Sequence, residues 1–338
     1  MEGLSPKAAN RVAREAAVQT FDPAARAINM DWGTSYDGKQ IQRWGEALGQ
    51  AAVDQREAQR EAYERGERPA SPSNDAQLLV IGMDGGRVQG REKNADTGSR
   101  WKEDKVLTIS SYLRGDGKDK PPVKLVNTYV ATMGDSDTFG KLAVVEAERR
   151  GLRRAQEVIV LGDGGNWIDT QWQAHFALNP RIIDFYHAVE HLHDCAKAAY
   201  GQDEGRCKEW AGQLKDLLWD GRVQEVIAQL RGGSQRVGPP QEGDGPQHPR
   251  RVLAQNVGYF ERHAPHMNYP EYRRRGWPIA SGVTESGVKL FNKRVKGTEQ
   301  FWNTQGVEPI LALRALWLSE DQRWDHYWLC PTPRKRAA

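Results

Sequence analysis

The chain has little that would hold it outside a reducing, aqueous compartment. Among 338 residues there are 3 cysteines, Cys195, Cys207 and Cys330, too few for a disulfide framework. No run of about 18 apolar residues occurs and the first residues form no apolar signal core, so a soluble, cytoplasmic chain without a membrane partner is expected. Charge of one sign is also scarce. The formal net charge is +3, too small by itself to imply a nucleic-acid partner. What is present is 38% hydrophobic residues and 12 Trp, the composition of a globular chain with room for two or three domains. The positive charge is unevenly placed. From Glu271 to the end, 12 Lys and Arg stand against 7 Asp and Glu, ending in Arg334-Lys335-Arg336, so basic character collects in the last fifth of the chain.

Helix signals open the sequence. Ser5-Pro6 is an N-cap followed by proline at the first helical position, and Asp22-Pro23 repeats the pattern. After Gly33 a third helix is expected from Asp37, carrying Ile41, Trp44 and Leu48. Three short helices with a glycine turn resemble a helix-turn-helix, in which the third would offer Lys39, Gln40, Gln42 and Arg43 to DNA. A charged helix from Gln50 to Arg65 then leads into a Pro- and Ser-rich linker.

Beyond the linker the pattern changes. Gln77 to Met83 reads as a buried strand ending at Asp84-Gly85-Gly86, with further strands at 105–113 and 123–132. Asp137 is expected to cap a helix reaching Gly151. A strand from Glu157 to Leu161 ends at Asp163-Gly164-Gly165, a helix covers 167–176, and a short strand 181–183 ends at Asp184. Strands in succession, then alternating helix and strand, predict an α/β layer whose sheet is partly antiparallel and partly parallel. The unbroken apolar strands imply helices on both faces. Helical spacing from Ala188 to Arg231, a Gly- and Pro-rich loop near 232–249, and helices at 252–263 and 307–318 complete the chain.

The chemistry gathers on acids. Asp84 and Asp163 each follow an apolar strand, the position at which open α/β sheets keep their sites. Either could instead be the Asp-Gly of a hairpin turn, although a helix follows Asp163. Further on, Glu285, Lys289, Asn292 and Lys296 share one face of the helix expected after Ser281-Gly282. That stripe is a solvated Glu–Lys face, or a carboxylate for a metal followed by amines for phosphates. Three converging carboxylates would repel one another without cations. Two strand-end aspartates and a helix-borne glutamate suit a site with two divalent ions about 3.5–4 Å apart, one at the attacking oxygen and one at the leaving oxygen.

Several motifs, in order, are similar to one family. Met83-Asp84-Gly85-Gly86-Arg87-Val88, Trp101-Lys102-Glu103, the segment from Leu161 to Ile168, the segment from Ile183 to Leu192, the segment from Gly276 to Ser286 and Phe301-Trp302 resemble DDE insertion-sequence transposases of the ISKra type. The likeness extends over roughly residues 77 to 318. It implies an RNase H-like catalytic domain with Asp84, Asp163 and Glu285 as catalytic and metal-binding triad, and a two-metal Mg²⁺ or Mn²⁺ cofactor. Asp184 and His187 match the Asp-x-x-His that follows the second aspartate. The implied activity is cleavage at the ends of a DNA element and strand transfer into target DNA, in a bacterial, nucleoid-associated homodimer. The partners would be terminal inverted repeats and target DNA, gripped by Lys289, Asn292, Lys293, Arg294 and Lys296, with Lys39 and Arg43 contacting DNA from the N-terminal helices. Trp167, Trp277 and Trp302 are candidates to stack on a base, with core packing as the alternative.

The expected organisation is a helix-turn-helix-like region at 1–66, a linker at 67–75, the first part of the catalytic core at 76–187, a helical insertion at 188–275, the second part with the glutamate helix at 276–320, and a basic tail at 321–338. Two other functions compete. A catalytically inactive or domesticated DNA-binding protein could keep the fold, but has no reason to keep three acids beside phosphates. His187-Ala188-Val189-Glu190-His191 also satisfies the inverted zinc-peptidase motif, with His193, Cys195, Cys207, Glu261 or Glu271 as further ligands; that reading leaves Asp84, Asp163 and the basic stripe unexplained.

Overall fold

The computed structural model describes residues 4–71, 76–94, 97–115, 120–297 and 300–329. Residues 72–75 of the expected linker, Cys330 and the rest of the basic tail from 330 onward lie outside the described residues. In chain order the elements are α1 (Pro6–Val18), α2 (Phe21–Trp32), α3 (Gly38–Glu64), β1 (Leu78–Gln89), β2 (Trp101–Leu113), β3 (Val123–Thr132), α4 (Ser136–Arg149), β4 (Glu157–Gly162), α5 (Asn166–His175), β5 (Arg181–Ile183), α6 (Phe185–Tyr200), α7 (Glu204–Trp219), α8 (Val223–Val237), α9 (Pro249–His263), α10 (Tyr269–Arg274), α11 (Gly282–Val295), α12 (Thr304–Leu318) and α13 (Arg323–Leu329). The strands form a five-stranded sheet in the order β3-β2-β1-β4-β5. β1 and β2 run antiparallel and β4 and β5 parallel. The fold is the mixed α/β arrangement, with a sheet partly antiparallel and partly parallel, that the strand pattern implied.

The chain divides into two compact units. The first contains Met1–Tyr112, Lys124–Glu157 and Gly282–Ala338. Two of its N-terminal helices begin on the expected caps: the Ser5 hydroxyl accepts from the Ala8 N–H at 3.2 Å, and Asp37 Oδ1 accepts from the Gln40 N–H at 2.7 Å. α2 does not: it begins at Phe21 after Thr20, which leaves Asp22 in the first turn. The helix expected from Asp37 continues through the charged run from Gln50. α3 runs unbroken for 27 residues, because the stripe Ile41, Leu48 and Ala52 stays buried against α1, α2 and α12 and no proline interrupts it. The cap of α4 also differs from expectation. Asp135, not Asp137, accepts the Thr138 N–H at 2.8 Å, which leaves Asp137 in the first turn. At the other end of the unit, Arg323 donates Nη2–H to Glu146 Oε1 at 2.6 Å and Nη1–H to Glu146 Oε2 at 3.1 Å. That pair ties the start of α13 to α4.

The second unit contains Leu113–Val123 and Val158–Ser281. Its helical part is broken where the sequence pattern appeared continuous. α6, α7 and α8 are separate, with left-handed glycines at Gly201 and Gly221 after the first two. α8 also reaches through Gly232-Gly233 to Val237, so the loop begins later than expected. Gly233 lies against the Trp210 ring, where a Cβ would stand 3.2 Å from Cη2, and this packing holds the last turns in place. α9 begins at Pro249 under a His248 cap, and it packs on α6 and α8.

Candidate functional site

In the first unit, strand register decides what faces what. Gly82 pairs with Thr108, Asp84 with Val106, and Gly86 with Asp104. Side chains alternate along a strand, so Gly82, Asp84, Gly86 and Val88 share one face. α11 packs on that face. Thr284 Oγ1 lies 2.8 Å from Thr108 Oγ1, and Val288, Phe291 and Val295 enter one core with Val88 and Val106. The approach depends on Gly82, where a Cβ would stand 2.0 Å from Thr284 Oγ1. Glu285, one residue after the buried Thr284, is therefore carried on the same side of β1 as Asp84.

The strand does not end at the aspartate. β1 continues through Gly85 and Gly86 to Gln89, so Asp84 sits in mid-strand and the hairpin-turn reading fails. The glycines make room for acids on β2: a Cβ at Gly85 would stand 2.8 Å from Glu103 Oε1, and one at Gly86 2.5 Å from Asp104 Oδ1. Asp104 is a residue that the sequence reading passed over. It is fully buried, neither carboxylate oxygen has a hydrogen-bonding partner, and desolvation lifts its pKa to about 6. Strand alternation carried the signal, since Asp104 is an acid two places from the apolar Val106 on the Asp84 face.

Along α11, Glu285, Lys289 and Lys293 are exposed and Asn292 is half-buried. Lys296, just past the helix, is exposed too. Lys289 Nζ lies 3.7 Å from Glu285 Oε2. Arg294 departs from expectation. It is 1% exposed, its Nε–H donates to the Ala16 carbonyl at 2.6 Å, and its guanidinium lies over the rings of Phe21 and Trp302. Burial lowers its pKa to about 9. Arg294 joins α11 to α1 and has no surface to offer DNA. Lys39 and Arg43 are exposed on α3. Trp277 and Trp302 are buried, so they pack in the core and do not stack on bases.

In the second unit, Asp163 follows β4. Its Oδ1 accepts the Gly165 N–H at 2.9 Å, and its Oδ2 faces His187 Nε2 at 4.0 Å. Arg181, fully buried on β5, holds the loop from behind. It donates to the Gly162 carbonyl at 3.4 Å, to the Ile182 carbonyl at 2.9 Å and to the Asp163 carbonyl, and it pairs with Asp169 at 3.5 Å. His263 Nδ1 lies 3.6 Å from the other Asp169 oxygen. Gly164 lets α9 come close, since a Cβ there would stand 2.3 Å from Tyr259 Cε2 and 2.7 Å from His263 Nε2. Asp184 is a structural clamp. Its Oδ1 caps α6 through the His187 N–H at 2.9 Å, and its other oxygen accepts the Ser281 N–H.

The zinc reading of His187, Glu190 and His191 finds its ligands otherwise engaged. His191 Nδ1 is 2.7 Å from Asn256 Oδ1, and its ring stacks on Tyr259. Glu261 is held by Arg231, and Glu271 by Arg274 and Arg275. Burial pushes the Cys195 thiol up to about 12. Carboxylate oxygens are suitable donors for Mg²⁺ or Mn²⁺. Among the described residues, however, no three His, Cys, Asp or Glu side chains are gathered so that they could hold an ion.

No family model matches the sequence, and no curated protein matches it. Among solved structures, a Drosophila P element transposase strand transfer complex aligns over 96% of this chain and 94% of that chain, with 10% identity and a TM-score of 0.38. A likeness this slight carries no weight for fold or function. No helix among the described residues is long and apolar enough to cross a membrane.

Proposed function

We infer that the chain is a DNA transposase, a metal-dependent polynucleotidyl transferase with Asp84, Asp163 and Glu285 as its acidic triad. The observation that carries this reading is the seating of α11 on the Asp84 face of β1, which puts Glu285 and the amines of Lys289 and Lys293 on the side where Asp84 points. The carboxylate of Asp163 beside His187 supports the second aspartate. Asp84, Asp163 and Glu285 would hold the divalent ions, which would supply activation of the attacking and leaving oxygens.

The protein's own groups do the rest. Lys289 and Lys293, one and two turns beyond Glu285, neutralise strand phosphates. Arg181 fixes the backbone on which Asp163 stands. Water attacks the phosphodiester at the element end and a 3′-hydroxyl leaves; that hydroxyl then attacks a target phosphodiester and displaces its 3′ oxygen. The partners are element ends and target DNA, brought together by a homodimer.

The test is cleavage and strand transfer on duplexes carrying the ends of the element that encodes the chain, with Mg²⁺ or Mn²⁺. Asp84→Asn, Asp163→Asn and Glu285→Gln should each abolish both steps while leaving DNA binding in place. Wild-type activity in all three variants would refute the assignment.

A further inference from the structure

Beside the β1–β2 connection, the first unit exposes two aromatic rings among basic side chains. Trp101 is 39% exposed and Phe301 42%. Each is overlaid by a cation. Lys296 Nζ stands 5.2 Å from the Trp101 ring centroid, and the Arg100 guanidinium carbon 5.7 Å from that of Phe301.

The backbone holds these groups firmly. Trp302 donates its N–H to the Gln89 carbonyl at 2.9 Å, and the Arg91 N–H donates to the Trp302 carbonyl at 2.9 Å. Arg91 also donates Nε–H to the Phe301 carbonyl at 3.3 Å. Arg91, Arg100 and Phe301 line an open recess of about 370 Å³. Among the described residues alongside, Glu92 and Glu103 are exposed acids, while those that line the recess with Phe301 are the cations Arg91 and Arg100.

A solvated charged face has no use for exposed rings, and a protein docked on this face would have to be acidic. Rings interleaved with amines and guanidiniums suit a chain that alternates planar bases with phosphates. Stacking serves any base, and the cations serve the backbone. A duplex keeps its bases stacked and offers these rings only its outer backbone.

We propose that Trp101 and Phe301, with Arg91, Arg100 and Lys296, form a binding site for an unpaired stretch of DNA strand, the bases stacking on the rings and the phosphates on the cations. The site deepens the function inferred above by naming single-stranded DNA as what this face takes.

The experiment measures fluorescence anisotropy of the full chain with a labelled oligothymidylate of about 16 nucleotides, the upper end of usual site sizes, and with a blunt duplex of the same length. Trp101→Ala and Phe301→Ala should each weaken oligothymidylate binding by about five-fold or more, and alter duplex binding less than two-fold. Both rings are exposed, so unchanged thermal unfolding is expected to accompany the loss. The pair Arg91→Gln with Arg100→Gln should flatten the salt dependence for the oligothymidylate by about 1.4 in log–log slope. Oligothymidylate binding unchanged in both ring variants overturns the proposal, as does an equal loss on the duplex. A wild-type chain that binds no oligothymidylate also overturns it and points to an acidic protein partner. The triad assignment fails separately. A chain that binds oligothymidylate through Trp101 but cuts no DNA keeps this site and loses the transposase reading; cleavage indifferent to Trp101 and Phe301 does the reverse.

Discussion

Replacing Gly82 by alanine tests directly how the glutamate helix is seated. The added Cβ would stand 2.0 Å from Thr284 Oγ1, 2.5 Å from Thr108 Oγ1 and 3.2 Å from Thr284 Cβ. Neither threonine is a flexible chain end. Both are buried, and they bond to each other at 2.8 Å. The helix must therefore move or the pair must part. Overpacking a filled core costs about 1–3 kcal/mol, and separating buried hydroxyls adds about 1 kcal/mol or more. We expect Gly82→Ala to lose about 3 kcal/mol in urea unfolding, and DNA cleavage to fall further than the lost folded fraction explains, because Glu285 moves with Thr284. The compensating change is Thr108→Ala with Thr284→Ala, which removes the two closest oxygens and leaves only the 3.2 Å contact. In that background Gly82→Ala should cost less than about 1 kcal/mol. Equal penalties in the two backgrounds, or a single variant as stable as wild type, would refute the direct seating of α11 on Gly82.

Four further outcomes follow from the geometry. Arg181→Met removes a buried guanidinium from three carbonyls and from Asp169, and should cost about 3–5 kcal/mol in chemical unfolding, with cleavage falling before the chain unfolds. Asp104 has a folded pKa raised to about 6, so the stability it contributes is present below the ordinary aspartate range and lost as pH rises through 6. Asp104→Asn should therefore be more stable than wild type at pH 8, by up to about 3 kcal/mol, and the two should converge near pH 4 in paired urea titrations. Arg294→Met should lower stability and leave the salt dependence of DNA binding unchanged, because that side chain is buried. Lys289→Gln with Lys293→Gln should do the opposite, unfolding like wild type while the log–log salt slope on duplex DNA falls by about 1.8.

The parts legible in the sequence were those written in local chemistry. Ser5 and Asp37 announce helix starts because a short polar side chain before a helical run has one obvious partner. The apolar runs at β1, β3, β4 and β5 announce buried strands. What was not legible depends on partners distant in sequence. Asp84-Gly85-Gly86 looks like a turn until Glu103 and Asp104 on β2 explain why the glycines are small. Arg294 looks like one more cation on a basic helix, and only the position of Ala16 and Phe21 shows that it is enclosed. For the proposed acidic triad, residue types and order were legible, and the placing of Glu285 on the Asp84 side of β1 came from strand register.

Asp184 joins two places in the chain that are 97 residues apart. A second bond, from the Phe185 N–H to the Ile279 carbonyl at 2.9 Å, fastens the same spot. The long helical excursion between them leaves and returns through one riveted gate. Material hung beyond such a gate can be lengthened, trimmed or exchanged without pulling on the frame. Drift in this family of shapes should thus concentrate between α6 and α10, and the rivet itself should be the last thing to change.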